Sequence, residues 1–269
     1  MKRFIAVSGV FCILISLCSC KIKSKSQDDN VVIGTPEPMI SYDDKEYTDS
    51  FPDSSGKVIA TIEVTYPEFS SEYIPDVAET MNEYVLKIIN DKADDIKMNL
   101  DNTADVKTRF NISDPTITKV AFEIIENNEY YLSFSVSTKE GVNPDDSDGF
   151  TTGYTFCLLD GSRLTLGMLL KEGAEYDENF IKNLIIMEAN ETYANGADLE
   201  DDKVELMNSY FDPASFCATP DGLIFYYSYS AISGGSVSGI YECLLTYADI
   251  YRMDMSPEEY YNLYIDYYN

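Results

Sequence analysis

Residues 213–250 read PASFCATPDGLIFYYSYSAISGGSVSGIYECLLTYADI, and the fold follows from how this run is parsed. Thr219-Pro220-Asp221-Gly222 is a turn signal. Beyond it Leu223, Phe225, Tyr227 and Tyr229 alternate with Ile224, Tyr226 and Ser228, the period of two that predicts a half-buried strand. Gly234, Gly235 and Gly239 give the backbone freedom for a loop of about ten residues. The stretch from Ile240 to Thr246 is then apolar and rich in strand formers. Together these residues predict a long hairpin whose inward side chains belong to a core.

Upstream of the hairpin the chain alternates strand and helix patterns. Val58, Ala60, Ile62 and Val64 alternate with Ile59, Thr61, Glu63 and Thr65, a strand that Pro67 is expected to stop. Ile74, Val77, Ala78, Met81, Val85, Ile88, Ile89 and Ile96 recur at intervals of three and four and predict an amphipathic helix. Pro75 and Asp76 suit its first turn, and Asp91, Asp94 and Asp95 near its end read as solvated. Thr116–Glu126 and Glu129–Thr138 read as strands joined by a two-residue turn at Asn127-Asn128. Thr151–Leu159 is a further strand and Thr165–Lys171 a short helix. Asn179–Ala194 is a longer helix with Phe180, Leu184, Met187 and Glu191 on one face. These elements predict an α+β fold: a mainly antiparallel sheet with helices packed on one face, its two halves forming one unit.

The ends of the chain read differently. Residues 1–19 carry a basic start at Lys2 and Arg3 and an apolar run from Phe4 to Leu17, the pattern of a signal peptide. Leu17-Cys18-Ser19-Cys20 fits a lipobox, with Cys20 as the lipid-modified residue and the acyl chains as the membrane anchor. Residues 20–56 are rich in Ser, Asp, Lys and Pro with almost no apolar period, and predict a flexible tether. The expected folded part divides into an N-terminal α+β half, 57–150, and a C-terminal half, 151–269. It closes on a helix from Pro257 bearing Tyr260, Tyr261, Tyr264, Tyr267 and Tyr268.

Composition excludes several classes of activity. With 19 basic against 47 acidic residues the formal net charge is −28, so nucleic-acid phosphates would be repelled while a basic partner would be steered in. The chain contains no histidine, which removes Ser-His-Asp and Cys-His nucleophiles and the usual zinc hydrolase sites. Neither a cofactor nor a metal site is expected. Asn143-Pro144-Asp145-Asp146-Ser147-Asp148-Gly149 is no EF-hand, because Pro144 stands where the first oxygen ligand belongs; it reads as an acidic surface turn, with a non-EF calcium site left open. Once Cys20 carries lipid, Cys157, Cys217 and Cys243 remain, and either one disulfide among them or buried free thiols would fit.

Three stretches carry a resemblance. The Thr219-Pro220-Asp221-Gly222-Leu223 turn, the alternating aromatics, the Gly-rich loop and the final Tyr247-Ala248-Asp249-Ile250 resemble the extracytoplasmic domain of the RsiV type of lysozyme-sensing anti-sigma factor. Similar domains precede the catalytic part of certain peptidoglycan deacetylases. Residues Tyr154–Leu166 look like that family's strand, turn and Leu-Thr-Leu helix entry, and Val58–Pro67 looks like its first strand. The likeness spans roughly residues 57–250 and departs from the family at Asp148–Gly153, where family members often carry a Gly-Gly-Ala-His segment.

The sequence predicts a non-catalytic, extracytoplasmic, lipid-anchored binding protein, and the resemblance implies recognition of lysozyme or of cell-wall glycan. The family's contact residues have no dense motif here onto which to be carried. The residues themselves offer the loop from Ser230 to Ser238 with Tyr227, Tyr229, Ser233, Gly234 and Gly235 as a ligand-binding site, where aromatic faces can stack and glycines permit close approach. A glycan hydrolase using paired carboxylates and a structural envelope protein that docks a partner on the Tyr-rich helix are the alternatives.

Overall fold

The computed structural model of the chain describes residues 39–147, 149–169, 178–193, 200–228, 239–247 and 249–250. All of them belong to one compact unit, Pro36–Asn269. The expected signal peptide, Cys20 and the Tyr-rich segment lie outside the described residues.

Five strands form the first sheet in the order β1-β2-β3-β4-β5: β1 Ser41–Pro52, β2 Val58–Ser70, β3 Thr116–Asn127, β4 Tyr131–Gly141 and β5 Phe150–Cys157. Neighbours run antiparallel except β2 and β3, which are parallel and therefore need a crossover. Helices α1 (Pro75–Met98) and α2 (Leu100–Phe110) supply it. The face of α1 predicted from its spacing is the face it buries: Val77, Ala78, Met81, Val85, Ile88, Ile89 and Ala93 lie against Ile62, Val64, Val120, Leu132, Phe134 and Phe156. Phe134 is fully buried and stacks on Tyr154 and Phe156, with ring centroids 5.3 and 5.6 Å away.

A second sheet, β6 (Cys217–Ala218), β7 (Gly222–Ser228) and β8 (Ile240–Thr246), is antiparallel in that order. The predicted hairpin is present, with Phe225 opposite Cys243 and Leu223 opposite Leu245. Its inward side chains Leu223, Phe225, Tyr227, Tyr241, Cys243 and Leu245 form a second core with α3 (Glu178–Tyr193). Met207 of α4 (Asp201–Tyr210) joins that core. The α+β class read from the sequence therefore holds.

Several local readings are corrected. The expected tether, 20–56, contains β1, with Ile40 buried just before it and Phe51 buried near its end. A 12-residue ladder with β2 orders the strand, so backbone pairing does what its polar side chains could not announce. Its charged, exposed residues suit a sheet edge, where they discourage pairing with another chain. The boundary at 150/151 falls inside a paired strand, because β5 ladders onto β4 from Phe150 to Cys157. Pro67 does not end β2: β3 pairs only as far as Thr65, so its missing N–H deprives no neighbour on that side. Asn127-Asn128 forms no two-residue turn with positive φ; Asn128 Oδ1 instead accepts from the backbone N–H groups of Tyr130 and Tyr131 at 2.9 and 3.0 Å. The buried face of α3 is Ile181, Ile185 and Ala189, one position off the predicted one, and Met187 is 59% exposed.

The two sheets meet at hydroxyl groups. Ser133 of β4 and Thr155 of β5, both fully buried, lie 3.0 Å apart on the sheet face away from α1. The Ala218 N–H donates to Thr155 Oγ1 at 2.9 Å and to Ser133 Oγ at 3.1 Å, and Thr155 Oγ1 donates to the Phe216 carbonyl at 3.1 Å. These are the β6 backbone groups that β7 does not use, so side chains of the first sheet satisfy the edge of the second. Contact this close needs a bare backbone: a Cβ on Gly153 would stand 2.5 Å from the Phe216 carbonyl carbon and 2.8 Å from the Cys217 nitrogen.

Gly153→Ala is therefore expected to destabilise the protein by about 1–3 kcal/mol through overpacking. Thr155→Val should cost about 1–3 kcal/mol by leaving buried backbone groups unpaired. Ser133→Ala should cost less than either, because the Ala218 N–H keeps its shorter bond to Thr155. Urea-denaturation midpoints check the order, and a Gly153→Ala protein as stable as the parent would show that the close approach is not required.

Candidate functional site

The expected ligand-binding residues divide. Tyr229, Ser233, Gly234 and Gly235 lie outside the described residues, whereas Tyr227 is 6% exposed. Alternation along β7 turns Tyr227 into the second core with Phe225 and Leu223, so its ring is chiefly structural. Only its margin reaches the surface, at a shallow cleft of about 170 Å³ beside the root of the hairpin loop.

Three elements build that cleft. Phe150 stands at the first position of β5, where the strand leaves Gly149. Tyr210 closes α4, and Asp212 and Ser215 follow in the turn that leads into β6. Tyr226, on the opposite side of β7 from Tyr227, forms part of the wall. Phe150 and Tyr210 are 61% and 53% exposed, and their centroids are 6.4 Å apart at an interplanar angle of 55°. Asp212 Oδ1 accepts from the Ala214 N–H at 2.9 Å, which fixes the turn carrying it. Two tilted rings beside a carboxylate and hydroxyls can stack on a sugar ring or receive a partner's side chain. Nothing in the sequence pairs Phe150 with Tyr210, since they are distant in the chain; the only local hint is an aromatic residue at the Gly149–Phe150 strand start.

Arg163 locks the neighbourhood of the cleft. Its guanidinium lies 4.4 Å from the Tyr154 ring centroid and donates to Tyr84 Oη at 3.0 Å and to the Ala214 carbonyl at 2.5 Å. One cation thereby ties α1, β5 and the Asp212–Ser215 turn together.

The three cysteines Cys157, Cys217 and Cys243 are buried free thiols, which answers the question the sequence left open. Burial pushes the Cys157 thiol up to about 11 and those of Cys217 and Cys243 up to about 12. None is a nucleophile at neutral pH. Burial likewise raises the phenol of Tyr154 to about 12 and those of Tyr226, Tyr227 and Tyr241 further, Tyr226 with the Cys217 thiol beside it. Of the acidic residues read as solvated, Asp91 and Asp94 form exposed ion pairs with Lys87 and Lys97, at 2.7 and 3.0 Å. In the acidic turn, Asp145 pairs with Lys119 at 3.0 Å. Among the described residues no three acidic or cysteine side chains gather as metal ligands.

These raised values set an alkaline limit. The folded state holds protons that the unfolded state releases near pH 9, the ordinary thiol value, so stability is complete below that pH. It should fall steadily as pH rises from about 9 through 12. Chemical denaturation across that range measures the fall. In the native protein at pH 8 the three thiols should resist a thiol reagent and become reactive in denaturant; rapid native labelling at Cys157, Cys217 or Cys243 would contradict their burial.

No family model matches the sequence, and no curated protein matches it. Solved structures do match. One is a member of the DUF3298 family from Bacteroides fragilis, with a TM-score of 0.53 and 13% identity over 84% of this chain and 98% of that one. Another is a DUF3298 family protein from Pseudomonas aeruginosa, with a TM-score of 0.48 and 13% identity over 81% of this chain and 96% of that one. The chain is thus similar in fold, across nearly the whole of its neighbour, to a bacterial member of the DUF3298 family.

Proposed function

We propose that this chain is a non-catalytic cell-envelope lipoprotein, anchored through Cys20, whose extracytoplasmic domain binds lysozyme or cell-wall glycan. The observation that carries the reading is the exposed Phe150–Tyr210 pair at the mouth of a cleft that also offers Asp212 and hydroxyl groups. Aromatic residues at the surface are costly to leave in water and are enriched where proteins meet partners or sugar rings. The likeness of Val58–Pro67, Tyr154–Leu166 and Thr219–Ile250 to the RsiV type supports lysozyme as the first ligand to test. A net charge of −28 favours a basic partner by steering its approach. The lack of histidine and the inert thiols favour binding over turnover.

Titration of the Cys20→Ala protein, which carries no lipid, with lysozyme at low and at high salt tests the proposal. Saturable heat with a fixed stoichiometry that survives high salt is expected, since contacts inside a cleft are screened little. Phe150→Ala and Tyr210→Ala should each weaken that binding by about tenfold or more while leaving the melting temperature almost unchanged, because both rings are largely exposed. Heat that disappears with salt would reduce the contact to unspecific charge attraction and move purified peptidoglycan to first place. Failure with both ligands overturns the proposal.

A further inference from the structure

Toward Thr116 on β3 and Glu140 on β4, one strand in from Phe150, the helix-facing surface changes character. Val64 and Val120 are paired neighbours on β2 and β3, and both are buried in the core under α1. Two residues nearer the strand starts, the same face carries Thr118 and then Thr116. On β4 it carries Thr138, opposite Val120, and then Glu140, opposite Thr118. The end of α1 and the start of α2 roof these positions without filling them. A cleft of about 280 Å³ remains, close to the lower bound of about 300 Å³ for small-molecule sites.

Several of the polar groups that line it are open to a ligand. Thr118 is only 5% exposed, and its hydroxyl, which makes no hydrogen bond among the described residues, stays accessible through the cleft. Lys92 from α1 lines the same space and forms no ion pair among the described residues. Asn102 from α2 adds an amide. Asp95 and Glu140 complete a set with both donors and acceptors and no excess of positive charge, while Ala60 and Ile96 give it an apolar patch.

From this lining we infer that the cleft is a binding site for one uncharged, polyhydroxylated ring: a monosaccharide or a terminal sugar of a glycan. Alternating hydroxyls need neighbouring donors and acceptors, which the threonines, Asn102 and Glu140 supply. The C–H face of such a ring needs the small apolar patch. An anion would meet two carboxylates and only one lysine, in a protein of charge −28. The site stands on its own lining and holds whichever ligand the Phe150–Tyr210 cleft takes.

The test follows amide resonances of the Cys20→Ala chain during titration with glucose, galactose, mannose and N-acetylglucosamine, with glycine and sulfate as controls. At least one sugar should shift Thr116, Thr118 and Thr138 saturably, with a Kd of about 1 mM or tighter. Thr118→Val, which removes only the hydroxyl, should raise that Kd about tenfold without lowering the melting temperature, since the hydroxyl has no partner to lose. Asn102→Ala, at an exposed position, should weaken the same sugar in a folded protein. Tyr210→Ala, on α4 and outside this lining, should leave the shifts at Thr118 intact, which separates this site from the aromatic cleft. The inference is overturned if no sugar shifts these residues below about 10 mM, if Thr118→Val binds as the parent does, or if glycine or sulfate saturates the site instead.

Discussion

The close approach of the β6 backbone to β4 and β5 is the constraint on which the rest of the structure depends. A two-residue edge strand has too few ladder bonds to hold itself in place, and its outward backbone groups would be left buried and unpaired. Ser133 and Thr155 remove that penalty by acting as a partner strand made of side chains. They can do so only because Gly153 carries no Cβ at the point of contact. The Cys217 thiol adds a bond to the Phe134 carbonyl at 3.2 Å, so the seam extends along β4. Two cores built on separate sheets become one body through a handful of small residues.

That seam also sets the surface. Fixing β6 against β5 fixes the turn before it, and Arg163 pins the same turn through the Ala214 carbonyl while resting on Tyr154. Asp212 and Tyr210 are thereby brought beside Phe150, although α4 and the start of β5 are distant in the chain. The aromatic cleft is a consequence of how the halves join, not a property of either half alone. The threonine-lined cleft has a different origin. It forms within the first half, where the α1–α2 crossover roofs the threonine-bearing ends of β3 and β4.

Most of the regular structure was legible because it rests on local rules. The apolar period of α1, the alternation in β2 and β7, and the turn at Thr219–Gly222 each state their own burial. What failed to be legible was stabilised from a distance. β1 is polar because it is an edge, so composition gave it the look of a tether until its ladder to β2 is seen. The face of α3 was misplaced by one residue because Phe180 and Leu184 are only half-buried, flanking the fully buried Ile181 and Ile185. Asn127-Asn128 matched a tight-turn signature, but the bulge that follows Ile124 in β3 and the capping of Asn128 gave a different turn.

The sequence by itself determined the α+β class, the principal helix, the hairpin, the acidic character and the absence of histidine chemistry, because periodicity and composition act over a few residues or over the whole chain. Tertiary structure alone decided that Tyr227 turns inward, that the cysteines stay free and that Phe150 meets Tyr210. It alone placed Thr118 in the cleft under α1 and α2. Each of these outcomes depends on which backbones approach one another across long stretches of chain. Such approaches are fixed by packing and by the need to pair buried polar groups, and neither is written in the spacing of neighbouring residues.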